Sequence, residues 1–222
     1  MLAQFVLFDG FDPLDVIAPY EVLDTAGMLT GGAVRTELVS AEGAREVAGG
    51  IGTVSLRAVT ALDPARADLI VVPGAYGELP GDDEDLTDEE RDRTIPAILG
   101  RTLGTDLPRL LDEALCRDGV TVATVCGGSL ILAMAGLIEG RPATTHHMGL
   151  DLLGATGARP IDARIVDDGD LVSGAGVTSG LDLGLYLVER ELGPRIAHGV
   201  EKLIAHERRG VVWHERGPTP PT

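Results

Sequence analysis

Short apolar runs alternating with helical patterns constrain this chain more than any other feature. Asp68 to Val72 carries one such run and ends in Pro73-Gly74, while Val120 to Val125 is rich in β-branched residues, follows Asp118-Gly119 and closes on Cys126-Gly127-Gly128. Runs this short and apolar read as strands buried inside a sheet. Between them, Asp88 to Ala114 has helical spacing broken by Pro96, Gly100, Gly104 and Pro108, which predicts two or three short helices. The order strand, helix, strand predicts an α/β fold with a mostly parallel sheet and right-handed crossovers.

The remaining segments fit this scheme. Ala3 to Phe8 reads as a first strand, Asp15 to Ala26 as a helix stopped by Gly27, and Val34 to Ser40 as a second strand. Val47 to Ser55 alternates with glycines as a small hairpin would. Ser129 to Leu137 is helical, Ala143 to Thr145 a brief strand, and Met148 to Leu153 a short helix. Ile161 to Val166 and Leu171 to Ser173 form a β-pair turning at Asp167-Asp168-Gly169. Leu181 to Leu192 and Arg195 to Glu207 are the closing helices. We read residues 1–209 as one domain with an acidic insertion at about 78–93, and 210–222 as a tail whose GPTPPT end is disordered.

Charge narrows the partners. A net charge of −17 argues against nucleic acid, because phosphate binding needs a basic face. Nine of the acids fall between Glu78 and Asp92, a solvated stretch that lacks the spacing of a calcium loop. Aromatic residues are only 3%, too few for stacking platforms. The two cysteines, Cys116 and Cys126, read as free thiols. The N-terminus lacks the basic head and apolar run of a signal peptide, and no long apolar window spans a membrane, so a soluble cytoplasmic protein is expected.

Cys126 sits where a strand turns into a helix, the position of a nucleophile elbow, and the helix N-terminus there is expected to favour a thiolate. The competing reading is a small buried core cysteine. Ligands of an open parallel sheet bind beyond the carboxyl ends of its strands, where the loop bearing Asp9, Asp12 and Asp15, the Pro73-Gly74-Ala75 turn and the elbow converge. Asp15 begins a helix and can face that edge, although a first-turn acid needs no other reason to be there. Backbone amides of Gly74 or Ala75 and Gly127 could form an anion hole. His146 or His147 could serve the cysteine as a base, while His198, His206 and His214 read as surface residues. No set of ligands has the spacing of a zinc site.

With those residues in view, the chain resembles the ThiJ/PfpI family of the class I glutamine amidotransferase-like superfamily, and within it the isonitrile hydratase branch. The resemblance rests on FVLFDGFDPLDVIAPYEVL at 5–23, DLIVVPGA at 68–75, ATVCGGSLILAMAGLIEGRPATTHH at 123–147 and LVSGAGVTSGLDLGLYLVERELGP at 171–194. It implies a flavodoxin-like three-layer sandwich with a mostly parallel central sheet, a homodimer, a small-molecule substrate and no cofactor or metal. It aligns Cys126 with the family's elbow cysteine, Asp15 with an acid facing it, and His146 with the histidine of an ATTH motif as an accessory group. Two departures stand out: Gly127 replaces the threonine usual after the nucleophile in that branch, and the segment between the Pro-Gly turn and the elbow is long.

The activity implied is cysteine-dependent hydration of isonitriles to N-substituted formamides, the work of a lyase. The alternatives are a glyoxalase III or deglycase-like action on α-oxoaldehydes, which relatives perform with glutamate and a nearby histidine, and a non-enzymatic ligand- or redox-sensing domain.

Overall fold

The computed structural model describes residues 1–79 and 87–217. Residues 80–86 of the acidic stretch, and all of the GPTPPT end but Gly217, lie outside those residues. The chain runs β1 (Leu2–Leu7), α1 (Pro13–Leu29), β2 (Arg35–Ser40), β3 (Arg45–Ala48), β4 (Ser55–Ala58), β5 (Thr60–Ala61) and β6 (Leu69–Val72). It continues through α2 (Asp88–Asp92), α3 (Ile95–Thr102), α4 (Leu107–Leu115), β7 (Thr121–Val125), α5 (Gly128–Met134), β8 (Pro142–Ala143) and α6 (Leu150–Ala155). The last elements are β9 (Arg159–Pro160), β10 (Ile165–Asp167), β11 (Leu171–Gly174), α7 (Ser179–Leu192), α8 (Pro194–Ile204) and β12 (Trp213–His214).

Eight strands form one sheet in the order β12-β10-β11-β7-β6-β1-β2-β5. All neighbours are parallel except β10 and β11, which make the expected antiparallel pair. The central strands are apolar because both faces are covered: α1, α7 and α8 pack on one another as one layer, and α3, α4, α5 and α6 as the other. Every residue of β1 and β6 is buried. This is the three-layer α/β sandwich that the sequence predicts, with β6 and β7 adjacent, so that the Pro73-Gly74 turn and the elbow emerge side by side.

Three expectations change. Helix α1 begins at Pro13, two residues early, because the Asp12 carboxylate accepts from the Leu14 N–H at 2.9 Å and Pro13 supplies a preset first turn. It runs through Gly27, whose glycine serves packing and not termination: a β-carbon there would lie 2.4 Å from the Val34 carbonyl oxygen. The helix stops at Thr30, whose amide and hydroxyl both reach back to Ala26 and Gly27 carbonyls. Finally, His206 and His214 are half-buried and tied inward, not free surface groups. His206 Nε2 is 3.0 Å from Asp182, while His214 lies on β12, 3.5 Å from the Tyr186 hydroxyl. Among the described residues no helix is long and apolar enough to cross a membrane.

Candidate active site

The elbow forms because β7 must hand the chain to α5 within two residues, Cys126 and Gly127. Cys126 takes φ +54°, a left-handed conformation that a residue with a β-carbon adopts only when its surroundings hold it there. Its N–H donates to the Gly174 carbonyl at 3.1 Å. Its carbonyl accepts from the Thr145 hydroxyl at 2.9 Å and the Ser129 hydroxyl at 3.4 Å. Both hydroxyls are fully buried, so these bonds are protected from water. Gly128 then lets α5 press on the end of β6, since a β-carbon there would lie 2.2 Å from the Val72 carbonyl oxygen.

Asp15 belongs to the first turn of α1, as expected, but its side chain is fully buried and faces the neighbouring turn. Its Oδ2 accepts from the Gly74 N–H at 2.9 Å, and the Gly74 carbonyl in turn accepts from the Asp12 N–H at 3.0 Å. The Gly74 Cα therefore lies between the Asp15 carboxyl and the elbow: a β-carbon on it would be 2.9 Å from Asp15 Oδ2 and 2.6 Å from the Gly127 nitrogen. Asp15 Oδ1 has no hydrogen-bond partner.

Burial pushes the Asp15 carboxyl well above the usual carboxylate range, and the Asp12 charge pushes the same way, against the Gly74 N–H. The Cys126 thiol is also raised strongly, by burial first and then by Asp15, with the Gly127 N–H opposing. The expected thiolate is thus corrected to a neutral thiol at rest, because burial and a neighbouring carboxyl outweigh one short helix terminus. Since Oδ2 already accepts a hydrogen bond, Oδ1 is the oxygen free to carry a proton.

Of the amides expected to form an anion hole, that of Gly74 is committed to Asp15, and that of Gly127 lowers the pKa of the adjoining thiol. The Ala75 amide makes no hydrogen bond among the described residues, although Ala75 pairs with Phe11 in an isolated bridge. His146 does not join the cysteine. Its Nδ1 accepts from the Met148 N–H at 3.4 Å, its ring lies 4.2 Å from that of His147, and burial followed by that neighbour lowers its pKa. The residue of this segment that holds the elbow is Thr145, which the ATTHH run contained but which no pattern singled out. Ser129 and Gly174 were missed for the same reason: their roles are contacts across the fold. Among the described residues no group of three or more His, Cys, Asp or Glu could hold a metal.

Open clefts of about 370, 420 and 770 Å³ lie at the amino edge of the sheet and around the C-terminal segment, and none of these is lined by Cys126, which is 8% exposed. Cys126 and Asp15 are thus buried, and among the described residues the groups acting on them are carboxyls and backbone amides, with no cation among them.

A family model described as the DJ-1/PfpI family matches residues 109–190. The chain is 32% identical over 198 residues to an isonitrile hydratase of Pseudomonas putida, covering 89% of this chain and 75% of that enzyme. It is 28% identical over 216 residues to the HTH-type transcriptional regulator CdhR of Pseudomonas aeruginosa, covering 96% of this chain and 57% of the regulator. Among solved structures, Drosophila melanogaster DJ-1beta superposes with a TM-score of 0.74 at 18% identity, over 93% of this chain and 98% of that one.

Proposed function

Because the chain belongs to the DJ-1/PfpI family, we propose that it hydrates isonitriles to N-substituted formamides, with Cys126 as nucleophile and Asp15 as the proton-transfer group. The observation that carries this reading is the Asp15 carboxyl, buried beside the elbow with Oδ2 pinned by Gly74 and Oδ1 unpartnered. A neutral acid with a free oxygen can give a proton from one side and take one back. The likeness to an isonitrile hydratase supports the substrate class.

The sulfur adds to the terminal carbon of R–N≡C as Asp15 gives its proton to that carbon and takes the thiol proton in return, leaving the thioimidate R–N=CH–S–Cys126. Water then adds to that carbon as Asp15 gives its proton to the imine nitrogen through one oxygen and takes a proton from the water through the other, and the hydroxyl proton of the adduct R–NH–CH(OH)–S–Cys126 passes the same way to the sulfur. The C–S bond breaks, R–NH–CHO departs and the thiol is restored. One water is consumed, and nothing is oxidised or reduced. Among the described residues no cation acts on Cys126 or Asp15, which suits an uncharged substrate and disfavours anionic ones.

Asp15→Asn tests the proton-transfer role with two readouts of opposite sign. Turnover of cyclohexyl isocyanide, followed as N-cyclohexylformamide, is expected to fall about 10²- to 10⁴-fold. Stability moves the other way. A carboxyl whose folded pKa is raised adds no cost below its unfolded pKa, and its cost grows as pH rises toward the folded value. Thermal melts at neutral pH are therefore expected to place Asp15→Asn above the wild type, with the difference vanishing in acid. Full turnover in the variant would remove Asp15 from the mechanism.

Two other readings are less favoured. Chemistry on α-oxoaldehydes calls for a histidine at the thiol, and His146 bonds within its own turn instead. Redox sensing calls for an exposed thiolate, whereas Cys126 is buried and its pKa raised. We also propose a homodimer. Leu14 and Ile17, 46% and 41% exposed on adjacent turns of α1, form an apolar strip that a second copy would cover. Sedimentation equilibrium is expected to give twice the chain mass, and a monomer at micromolar concentration would reject this assembly.

A further inference from the structure

Three loops converge on the site, and each presents a glycine to the same helix. Gly10, after β1, has φ +93°, and a β-carbon there would lie 2.5 Å from Ile98 Cγ2. Gly77, after β6, would place one 2.7 Å from Ile98 Cδ1, and Gly127, in the elbow, 3.1 Å from Leu99 Cδ1. Ile98 and Leu99 are consecutive residues of α3, 5% and 1% exposed. The helix is fastened to the loop after β6 by the Glu78 N–H on the Arg93 carbonyl and the Ile95 N–H on the Glu78 carbonyl, both at 3.0 Å. So α3 packs over the three loops, on a footing of positions where no side chain intervenes.

Gly127 is the instructive one. A side chain on the residue after the nucleophile would have to enter space bounded by Leu99 Cδ1 at 3.1 Å and the Gly74 Cα at 3.6 Å. Both the Asp15 carboxyl and the Gly127 nitrogen border Gly74, so this space adjoins the acid and the amide that follows Cys126 in the chain. Leu99 thus substitutes, from another element, for a side chain at 127. It presents hydrocarbon where the elbow and the Gly74 turn meet.

We infer that Leu99 is a specificity-determining residue, whose side chain stands beside Gly127 and limits the group carried by the reacting carbon to slim, uncharged substituents. The inference rests on the reactive role proposed above for Cys126, but it needs only a nucleophilic sulfur and not the hydration of isonitriles. It also implies that positions 99 and 127 are coupled: a larger residue at 127 is accommodated only when 99 is cut back.

The test measures alkylation of Cys126 by iodoacetamide and by N-cyclohexylmaleimide in a Cys116→Ser background, with the labelled site assigned by mass spectrometry. Cys116 is exposed and would otherwise dominate the signal. Leu99→Ala is expected to raise the rate for the bulky reagent relative to the small one by at least about tenfold. Gly127→Thr is expected to slow both reagents, and adding Leu99→Ala to it to recover the wild-type iodoacetamide rate within about threefold. Because Leu99→Ala empties a buried site and could impair folding, Leu99→Val serves as the milder variant, with a smaller shift in the same direction. Equal acceleration of both reagents, or additive effects at 99 and 127, would overturn the inference. The same variants assayed with isonitriles of increasing width separate the two proposals. Selective alkylation without any turnover leaves Leu99 in its role and removes the hydratase, while turnover indifferent to Leu99 does the reverse.

Discussion

Cys126→Ser lowers kcat/KM for cyclohexyl isocyanide by about 10³-fold or more while leaving the melting temperature close to that of the wild type. Serine keeps the size and the left-handed backbone of the elbow, and the bonds that hold that backbone run to main-chain atoms of residue 126, so the turn survives. What is lost is the nucleophile. The site already raises the pKa of its thiol, and a hydroxyl begins several units higher, with no histidine positioned to take its proton. The pH profile of the wild type carries the same logic. The form that reacts has a protonated Asp15, so kcat/KM is flat through the ordinary carboxylate range and declines as pH rises through the elevated Asp15 pKa. A decline toward acid centred on a normal carboxylate would contradict this assignment, and formamide produced by Cys126→Ser at the wild-type rate would end it.

Gly128→Ala is expected to destabilise the protein by about 3 kcal/mol or more, a drop in melting temperature on the order of 10 °C for a chain of this size. Two effects compete at this position. Replacing a helical glycine with alanine is worth about 1 kcal/mol in favour of the helix. Against it, the new β-carbon would lie 2.2 Å from the Val72 carbonyl oxygen and 3.0 Å from that of Pro73. Both obstacles are main chain at the end of β6, with no side chain to swing aside, so either α5 or the turn that carries Gly74 must move. Displacing Gly74 releases its hold on Asp15, and activity should fall further than stability alone explains. Gly100→Ala is the control. It lies in α3 with nothing within 4 Å of the added carbon, and it should stabilise slightly, by about 0.5–1 kcal/mol. Equal melting temperatures for Gly128→Ala and the wild type would show that the approach of α5 to β6 is not a constraint.

The sheet was legible because its central strands are short, apolar and separated by helices, a pattern with few alternative folds. The elbow was legible for a local reason, since strand, cysteine, glycines and helix follow one another within a dozen residues. What escaped depended on partners distant in sequence. Asp15 could be assigned to the correct edge, but its pairing with the Gly74 amide spans 59 positions. The helix terminus beside Cys126 suggested a thiolate, while the burial and the carboxyl that reverse that expectation come from the fold as a whole. Thr145 offered no signal beyond standing before two histidines, and the histidines drew the chemical argument instead. Gly27 shows the limit of local rules: a glycine near a helix end suggested a stop, and here it is where the helix meets the chain entering β2. In the same way, Trp213-His214 is too short to announce itself, yet it pairs with β10 and completes the sheet.

That last pairing bears on how the molecule behaves in a crowded solution. One border of the sheet is β12 and the other is β5, and each is only two residues long. A foreign chain seeking to extend the sheet finds, at either border, room for barely one pair of main-chain bonds before the ladder runs out. Alongside β12 and β5, sheet growth from molecule to molecule is limited by strand length alone, with no charged gatekeeper or proline on either strand.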